Sequence, residues 1–233
     1  MKEFSLEPGS AAWLGVRLGI PTASQFPRVL TPATRKFSNQ SRRDAFALVA
    51  EKLLNMSLGG LDYIEHIQRG KDLEPDAVRM FTASTDLQTV PIGFLTTDDM
   101  RIGATPDRRI LGGGASAYLE CKCPKAETHL EYLIDGFGAD YMPQVQGQAF
   151  VGEADWVMRW SYHPMMPPKL ERTDRDDGFI ADLRAALDEF CDMRDEIERK
   201  ARATGFFEER IALGQLALDQ LTEMADQQGI AEP

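Results

Sequence analysis

The sequence predicts an α+β protein of the α/β/α type, in which a central mixed sheet is flanked by helices and further helices follow at the C-terminal end. Helical periodicity dominates the first third of the chain, and short strand-like runs separated by turn residues follow. A single aromatic-rich strand then lies between later helical segments. This order of helices, a mostly antiparallel sheet, helices, a strand and helices is typical of a sheet covered by helices.

The helices of the first third are indicated by capping residues and apolar spacing. Ser10 and Thr22 can each cap a helix. Pro75 is expected to interrupt or restart the fourth helix, because the residue before a proline avoids helical geometry. The predicted helices of this part are about 10–17, 22–29, 41–56 and 70–83, with a polar loop at 31–39.

The rest of the chain divides at turn residues. Gly205 is expected to separate the last two helices. The predicted strands are about 89–95, 101–104, 107–111, 117–123 and 156–162, and the predicted helices are about 127–135, 139–151, 178–203 and 206–227. Without an internal repeat or a low-complexity linker, one main domain over 1–203 and a C-terminal helical extension over 204–233 are expected.

The composition is that of an ordinary globular protein. A chain of 233 residues, 43% of them hydrophobic, can bury a sizeable core. No run of about 18 apolar residues and no signal-peptide pattern is present, so we expect a soluble, cytoplasmic protein with no membrane partner. Three cysteines argue against a disulfide framework, and the spacing of Cys121 and Cys123 is not that of a zinc or iron–sulfur knuckle. Both are interpreted as small strand residues.

The net charge of −11 is unusual for a protein that binds nucleic acid. The charge is segregated, however, because residues 17–43 contain six basic residues and no acidic one, while acids concentrate in the last third. One basic face and a solvated acidic tail would reconcile DNA binding with that net charge. A basic stretch of this kind, taken alone, is more often a solvated surface.

Two strands that meet at a glycine-rich turn carry the strongest chemical signal. In a hairpin centred between Gly113 and Gly114, Asp107 lies directly opposite Glu120. Because strand side chains alternate between faces, Glu120 and Lys122 project to the same side as Asp107. Directly paired residues bring their Cβ atoms within roughly 5 Å. The hairpin therefore predicts two acids and an ammonium group in one cluster.

Two carboxylates at that distance repel each other unless a cation lies between them. Mg²⁺ suits this position, since it takes one or two carboxylates, keeps several waters and accepts phosphate oxygens. Beside a metal, the Lys122 ammonium can orient the attacking water, lower the pKa of that water or neutralise charge on the phosphate. The alternative is that Asp107 belongs to a turn and that Glu120 lies on an exposed strand edge. The register argues against coincidence without deciding between the two.

Further polar residues could join this cluster. On a helix, Tyr141, Gln144 and Gln148 share one face, and their uncharged groups suit contact with phosphates or with waters around a metal. The pattern alone favours the alternative that these glutamines merely cover a helix surface. Glu74 is a third carboxylate candidate, although taken alone it resembles a helix N-terminal acid that complements the helix dipole.

Five motifs together resemble the bacteriophage lambda exonuclease family, also called the YqaJ viral recombinases, within the PD-(D/E)XK nucleases. They occur in the family's order and cover roughly residues 10 to 165, so the set is far more specific than any single motif. The matching segments are Trp13–Ser24, Gly70–Ala77, Ala104–Asp107, Leu119–Pro124 and Tyr141–Gln146.

The resemblance implies a restriction-endonuclease-like core and Mg²⁺-dependent phosphodiester hydrolysis by a two-metal mechanism, with Mn²⁺ able to replace Mg²⁺. By motif, Asp107 and Glu120 would ligate metal together with the backbone carbonyl of Cys121. Lys122 would activate the attacking water. The residues expected to help hold a second metal ion or its waters are Glu74 and Gln144.

The resemblance also implies a substrate and partners. Members of the family digest one strand of linear double-stranded DNA from its 5′ end and leave a 3′ overhang. They form homotrimers and cooperate with a single-strand annealing protein, which would place this chain in a bacterial host as a phage protein. Arg17 and Ser24 fall on the segment near the 5′-phosphate, and the further basic residues expected to contact the DNA backbone are Arg28, Arg35 and Lys36.

The chain departs from the family in two places, and rival functions remain open. Arg108 stands where the family usually has glycine, and the helix over about 206–227 extends beyond the usual end. One rival is an iron–sulfur nuclease, which needs four cysteines where this chain has three. Another is a PD-(D/E)XK repair nuclease of different polarity. The third is a catalytically inactive DNA-binding or scaffolding module, which would be recognised by a broken site.

Overall fold

A computed structural model describes residues 1–6, 10–58, 61–112 and 114–207 of the chain, without the side chains of residues 61–67 and 71. The helices are α1 (Ala11–Arg17), α2 (Phe26–Val29), α3 (Ser41–Leu54), α4 (Leu61–Thr85), α5 (Ala126–Asp135), α6 (Met142–Val151) and α7 (Asp177–Arg202). The strands are β1 (Lys2–Phe4), β2 (Leu30–Thr31), β3 (Lys36–Phe37), β4 (Gln88–Pro91), β5 (Phe94–Thr96), β6 (Gly103–Ala104), β7 (Arg108–Leu111), β8 (Ala117–Lys122), β9 (Trp156–Ser161) and β10 (Lys169–Asp174).

The central sheet has five strands in the order β10–β9–β8–β7–β4. The β8–β9 pair is parallel and the other three pairs are antiparallel, so the sheet is mixed. In the β7–β8 hairpin, Arg108 pairs with Leu119 and Ile110 pairs with Ala117. The same register, continued by one residue, sets Asp107 opposite Glu120. The predicted hairpin register is confirmed.

Helices cover both faces of this sheet. Tyr118 of β8 belongs to a core shared with α2, α3, α6 and α7, whereas Leu119 belongs to a second core with Ala77 and Phe81 of α4. Neighbouring residues of β8 therefore point into opposite layers, as strand geometry requires. The Trp160 indole Nε1 on β9 also donates to the Ala77 carbonyl of α4 at 3.0 Å. The predicted α/β/α architecture is confirmed.

The prediction of an interruption at Pro75 was wrong. Helix α4 runs without a break from Leu61 to Thr85 and contains Pro75 in its interior. Pro75 removes one backbone donor, but the residues that follow it are fixed by packing, since Ala77 and Phe81 are both fully buried against the sheet. Tertiary contacts therefore outweigh the local preference of the residue before proline.

The single strand predicted over 89–95 was also wrong. The segment forms two strands, with β4 in the central sheet and β5 in a three-stranded sheet of order β1–β5–β6. Gly93 lies at the change of direction, where a Cβ atom would be only 2.2 Å from the Phe4 carbonyl oxygen. Only glycine allows β1 to approach so closely.

The C-terminal part agrees with the sequence as far as the structure describes it. Helix α7 ends at Arg202, and Gly205 has the positive φ of 76° expected for a break. The predicted helix over 206–227 lies outside the described residues from 208 onward. Within the described ranges, no helix is both long and apolar enough to cross a membrane.

Candidate active site

The two acids and the lysine of the predicted cluster lie together at one end of the β7–β8 hairpin. The Lys122 Nζ donates to Glu120 Oε1 at 2.7 Å on the same face of β8. Asp107 immediately precedes β7, and its Oδ2 accepts a hydrogen bond from the Cys121 amide at 2.6 Å. The Asp107 amide in turn donates to the Leu119 carbonyl at 3.2 Å. Backbone contacts across the hairpin thus fix the Asp107 carboxylate beside β8.

Two glutamines of α6 fix the Glu120 carboxylate. The Gln144 side-chain amide donates to Oε1 and the Gln148 amide donates to Oε2. Glu120 is only 4% exposed, and both glutamines are buried as well. The interpretation that they cover a helix surface was wrong, because their face of α6 packs onto the sheet.

Tyr141 closes the cluster on its remaining side. Its ring centroid lies 5.5 Å from the Lys122 Nζ, within the distance at which an aromatic face attracts an ammonium group. Its hydroxyl is hydrogen-bonded to the Tyr132 hydroxyl of α5. Gln146, which alternates with the two site glutamines, points elsewhere and binds the Asp174 carbonyl at 2.9 Å. The motif therefore mixes site residues with a structural one.

The charge of Glu120 changes the pKa of the other acids of this cluster. Burial raises the pKa of Asp107 well above its usual range, and the neighbouring Glu120 charge raises it further. Burial also raises the pKa of Glu74 on α4, where Arg108 opposes the shift and Glu120 adds to it. The pKa of Glu74 therefore depends on the Glu120 charge, although Glu74 lies on α4, far from Glu120 in the sequence.

Two opposing effects act on the pKa of Lys122. Burial alone lowers the pKa of this lysine, but the adjacent Glu120 and Asp107 carboxylates outweigh burial and raise the pKa above the usual value. Lys122 is consequently a cation at rest, suited to orienting and neutralising rather than to accepting a proton.

The donor set fits a hard divalent cation. The carboxylates of Asp107 and Glu120 lie together on the hairpin. Burial raises the pKa of Asp107 and of Glu74, and the Glu120 charge adds to both shifts, so a bound cation would offset the cost of ionising these acids. Among the described side chains, no three acids, histidines or cysteines are grouped to hold one ion. Mg²⁺ does not need such a cage, since it keeps several waters and binds through one or two carboxylates.

Arg17 and Ser24 both lie near residues of the cluster, and their contacts with a DNA end stay a prediction. The Arg17 Nη1 donates to the Thr105 Oγ1 at 3.4 Å, two residues before Asp107. Its guanidinium carbon also lies 3.9 Å from the Trp13 ring centroid. The exposed Ser24 and the site residue Gln144 line one cleft of about 610 Å³.

The other basic residues lie apart from this cleft. The Arg28 Nε donates to Asp44 Oδ2 at 3.1 Å, and Arg35 lies 3.6 Å from a carboxylate oxygen of Asp182 on α7. Lys36 is exposed on β3. The basic stretch of the sequence is therefore interleaved with acids from other elements, and contacts of these three residues with DNA stay a prediction.

Arg108, which stands where the family usually has glycine, contacts strand β4 and acts on the pKa of Glu74. Its Nε donates to the Thr89 Oγ1 of β4 at 3.4 Å, and its charge lowers the pKa of Glu74 against the effect of burial.

Arg69 of α4 was not predicted as a site residue, yet it donates to the carbonyls of Cys123 and Pro124 at 3.1 Å each. It thereby anchors the end of the strand that carries Glu120. Its sequence position gave no signal for this contact.

Cys121 lies in β8, as predicted, whereas Cys123 lies just after the strand, so its prediction as a strand residue was wrong. Cys121, Cys123 and Cys191 are all free. Burial is the largest cause that raises the pKa of Cys123 to about 11, and the nearby Asp107 charge acts in the same direction. Burial also raises the pKa of Cys121 well above its usual value, so neither thiol is disposed to be a thiolate ligand at neutral pH.

The sequence of residues 12–155 matches the YqaJ-like viral recombinase domain, which is more than half of the chain. The chain belongs to the YqaJ-like viral recombinase family. The match includes every residue of the cluster, from Glu74 to Gln148, and also Arg17 and Ser24.

Solved structures agree with this membership. An alkaline exonuclease, LHK-Exo from Laribacter hongkongensis, has a TM-score of 0.72 and 25% identity, over 84% of this chain and 98% of that one. Its complex with dAMP matches over the same shares with 27% identity. A phage-related exonuclease from Haemophilus somnus 129PT shares the fold, with a TM-score of 0.64 at 13% identity over 78% and 96% of the two chains. A comparison with curated protein sequences found no match. The predicted restriction-endonuclease-like core is confirmed.

Proposed function

We propose that this protein is a Mg²⁺-dependent deoxyribonuclease that digests one strand of linear duplex DNA from 5′ to 3′ and leaves a 3′ overhang. The observation that carries the proposal is the convergence of Asp107, Glu120 and Lys122 at one end of the hairpin, with Lys122 Nζ 2.7 Å from Glu120. An intact cluster disfavours the inactive-module alternative. Membership of the recombinase family and similarity to an alkaline exonuclease support the choice of DNA as substrate.

Each residue of the cluster has a role that its contacts support. Gln144 and Gln148 hold both oxygens of Glu120 and so keep the carboxylate oriented. Lys122 stays protonated and can orient the attacking water and neutralise charge that develops on the phosphate. When bound at Asp107, Glu120 and the Cys121 carbonyl, Mg²⁺ would polarise the phosphate and activate the water.

A second metal ion is part of the proposal. Burial raises the pKa of Glu74 and the Glu120 charge adds to the shift, so a cation beside this carboxylate would offset the cost of ionising it. Gln144 presents its Oε1 toward the Lys122 Nζ at 3.5 Å. These two residues would help hold the second ion or its waters, and Mn²⁺ would be able to replace Mg²⁺ at both positions.

The surface around Arg17, next to the cluster, is proposed to hold the 5′ end of the substrate. Arg17 supplies a cation near Thr105. The neighbouring cleft offers the uncharged groups of Ser24 and Gln144 but also the acids Glu131, Asp135 and Asp140, so the phosphate is placed at Arg17 rather than in the cleft. The similar structure of LHK-Exo in complex with dAMP supports a nucleotide as a ligand of this chain. Farther out, phosphate contacts of the duplex are proposed for Arg28, Arg35 and Lys36.

The assembly and setting follow from the family rather than from the contacts of the chain. We infer a homotrimer that works with a single-strand annealing protein in the cytoplasm of a bacterial host. Residues 1–203 would form the exonuclease domain and residues 204–233 a helical extension.

The experiment that tests the function uses linear duplex DNA labelled at one 5′ or one 3′ end. With Mg²⁺, the proposal predicts stepwise loss of the strand with a 5′-phosphate and survival of the complementary strand, and no digestion with EDTA. Digestion from the 3′ end would support the repair nuclease of different polarity. DNA binding without any Mg²⁺-dependent loss of duplex would support the inactive module.

A further inference from the structure

An apolar groove lies between α3 and α7, away from the active site. It encloses about 490 Å³, and its α3 wall is largely apolar, with Phe46 49% exposed and Leu54 42% exposed at its edge. On the α7 side, Met193 and Ile197 line it, and the charged residues of its lining are Arg42 on α3 and Glu196 and Lys200 on α7. Large apolar side chains left open to water are unfavourable, and a contiguous group of them marks a docking surface.

The course of the chain beyond α7 leads into this groove. After Arg202 the backbone turns, with the Gly205 amide donating to the Arg202 carbonyl at 2.9 Å and Gly205 at a φ of 76°. Phe206 and Phe207 are helical again, and Phe207 lines the groove. The last described residue is thus already part of the groove wall, and residues 208–233 follow from that point.

The sequence that follows has the pattern of an amphipathic helix. With about 3.6 residues per turn, Ile211, Leu218 and Leu221 fall on the same side as Phe207. Leu216 falls on another side, as do the five acids, namely Glu208, Glu209, Asp219, Glu223 and Asp226. Such a segment offers an apolar stripe for the groove and keeps its carboxylates away from that stripe.

A helix formed by the C-terminal segment would be long enough to cover the groove. The lining residues of α3 extend from Arg42 to Leu54, which is about 18 Å at 1.5 Å per residue. A helix over residues 208–227 would be about 30 Å long and would cover the groove from end to end. A connection of a few residues between antiparallel helices is the usual one in helical hairpins.

We propose that residues 208–227 form an amphipathic helix that folds back along α7 and covers the apolar groove between α3 and α7. The groove is then part of the interior of the full chain, and its occupant is the chain's own C-terminal segment. A second copy or another protein would be excluded from this face while the segment is docked.

Matched substitutions in the segment test the proposal in the full-length protein. Leu218→Glu places a charge on the apolar stripe, whereas Leu216→Glu places the same charge on the opposite side of the helix. We expect Leu218→Glu to raise the fluorescence of a hydrophobic dye several-fold and to speed protease cleavage beyond Gly205. We expect Leu216→Glu to behave as the unmodified protein does. Neither substitution lies within residues 1–207, so the loss of helical circular dichroism in Leu218→Glu should not exceed that of the released segment, and Leu216→Glu should show no loss.

A substitution on the groove side completes the test. Phe46→Glu should release the segment as Leu218→Glu does, whereas Ile134→Glu, at a 71% exposed residue of α5, should not. Equal behaviour of the two segment variants would overturn the proposal. Strong dye binding by the unmodified protein would overturn it as well, because the groove would then be open. Dye binding that falls with protein concentration while the measured mass rises would instead assign the groove to a second copy.

Discussion

The Gln148 side-chain amide donates to one oxygen of the Glu120 carboxylate while the Lys122 ammonium donates to the other. An acid that is 4% exposed is thus held at both oxygens by residues from different elements, a helix and a strand. Groups fixed in this way keep their geometry when substrate arrives, which favours catalysis through preorganised charge.

The lysine is expected to act in turnover rather than in binding. Lys122→Ala should lower kcat on linear duplex by a factor on the order of 10²–10³, the effect of removing one group that stabilises developing charge, with the affinity for DNA nearly unchanged. Lys125→Ala, at an exposed lysine three residues away, is the matched control and should retain full activity. Both constants can be measured by single-turnover digestion and by binding without divalent metal. Undiminished turnover in Lys122→Ala would remove the lysine from the mechanism.

Gln148 is expected to orient Glu120. Gln148→Leu removes a donor and leaves a buried carboxylate oxygen without that partner, so the concentration of Mg²⁺ needed for half-maximal activity should rise about 10- to 100-fold, as for other residues that orient metal ligands. Gln146→Leu is the matched control on the same helix. It loses contacts with the Asp174 carbonyl and the Asp176 amide and should lower stability without changing the Mg²⁺ requirement. Equal Mg²⁺ requirements in both variants would argue against this role.

Arg17 is expected to recognise the phosphorylated end. The unmodified protein should digest duplex with a 5′-phosphate faster than duplex with a 5′-hydroxyl, and Arg17→Ala should narrow that ratio because the cation near Thr105 is lost. Arg43→Ala, at an exposed arginine on α3, should leave the ratio unchanged. The ratio is measured by digesting the two substrates in parallel. Equal rates on both ends by the unmodified protein, or preferred cutting of closed circles, would contradict the assignment.

Two glycines should respond in opposite directions to the same substitution. Gly93→Ala would place a Cβ 2.2 Å from the Phe4 carbonyl oxygen, so β1 must separate from β5 and the midpoint of thermal unfolding should fall. Gly70→Ala in α4 would meet no atom of the described residues within 4 Å and should stabilise the protein by about 0.5–1 kcal/mol, since alanine favours the helix over glycine. Thermal unfolding of both variants provides the comparison. A stable Gly93→Ala variant would show that the approach of β1 is not tight.

The hairpin could be predicted because its evidence is local. The positions of Asp107, Glu120 and Lys122 follow from one turn and the alternation of strand side chains, and the observed register agrees with that derivation. Helix α7 is similarly local, with an Asp176 cap and a glycine after its end.

The remaining features depend on contacts between distant segments. Strand β10 was not predicted, because its mostly polar side chains alternate between partly buried and exposed positions. It forms a strand because it pairs with β9 along its whole length. The burial of Gln148 and the anchoring of β8 by Arg69 likewise depend on where α6 and α4 pack. Ion pairs of Arg28 and Arg35 with acids from α3 and α7 could not be foreseen from a run of basic residues.

Divalent-ion binding by the purified protein tests the central claim most directly. Titration with Mn²⁺, followed by the electron paramagnetic resonance signal of the free ion, should show saturable binding to the unmodified protein that Mg²⁺ displaces. Asp107→Asn should weaken that binding at least tenfold, whereas Asp98→Asn, at an exposed acid outside the cluster, should not. Binding that is absent from the unmodified protein with DNA present, or that survives unchanged in Asp107→Asn, would contradict a metal centre at the hairpin.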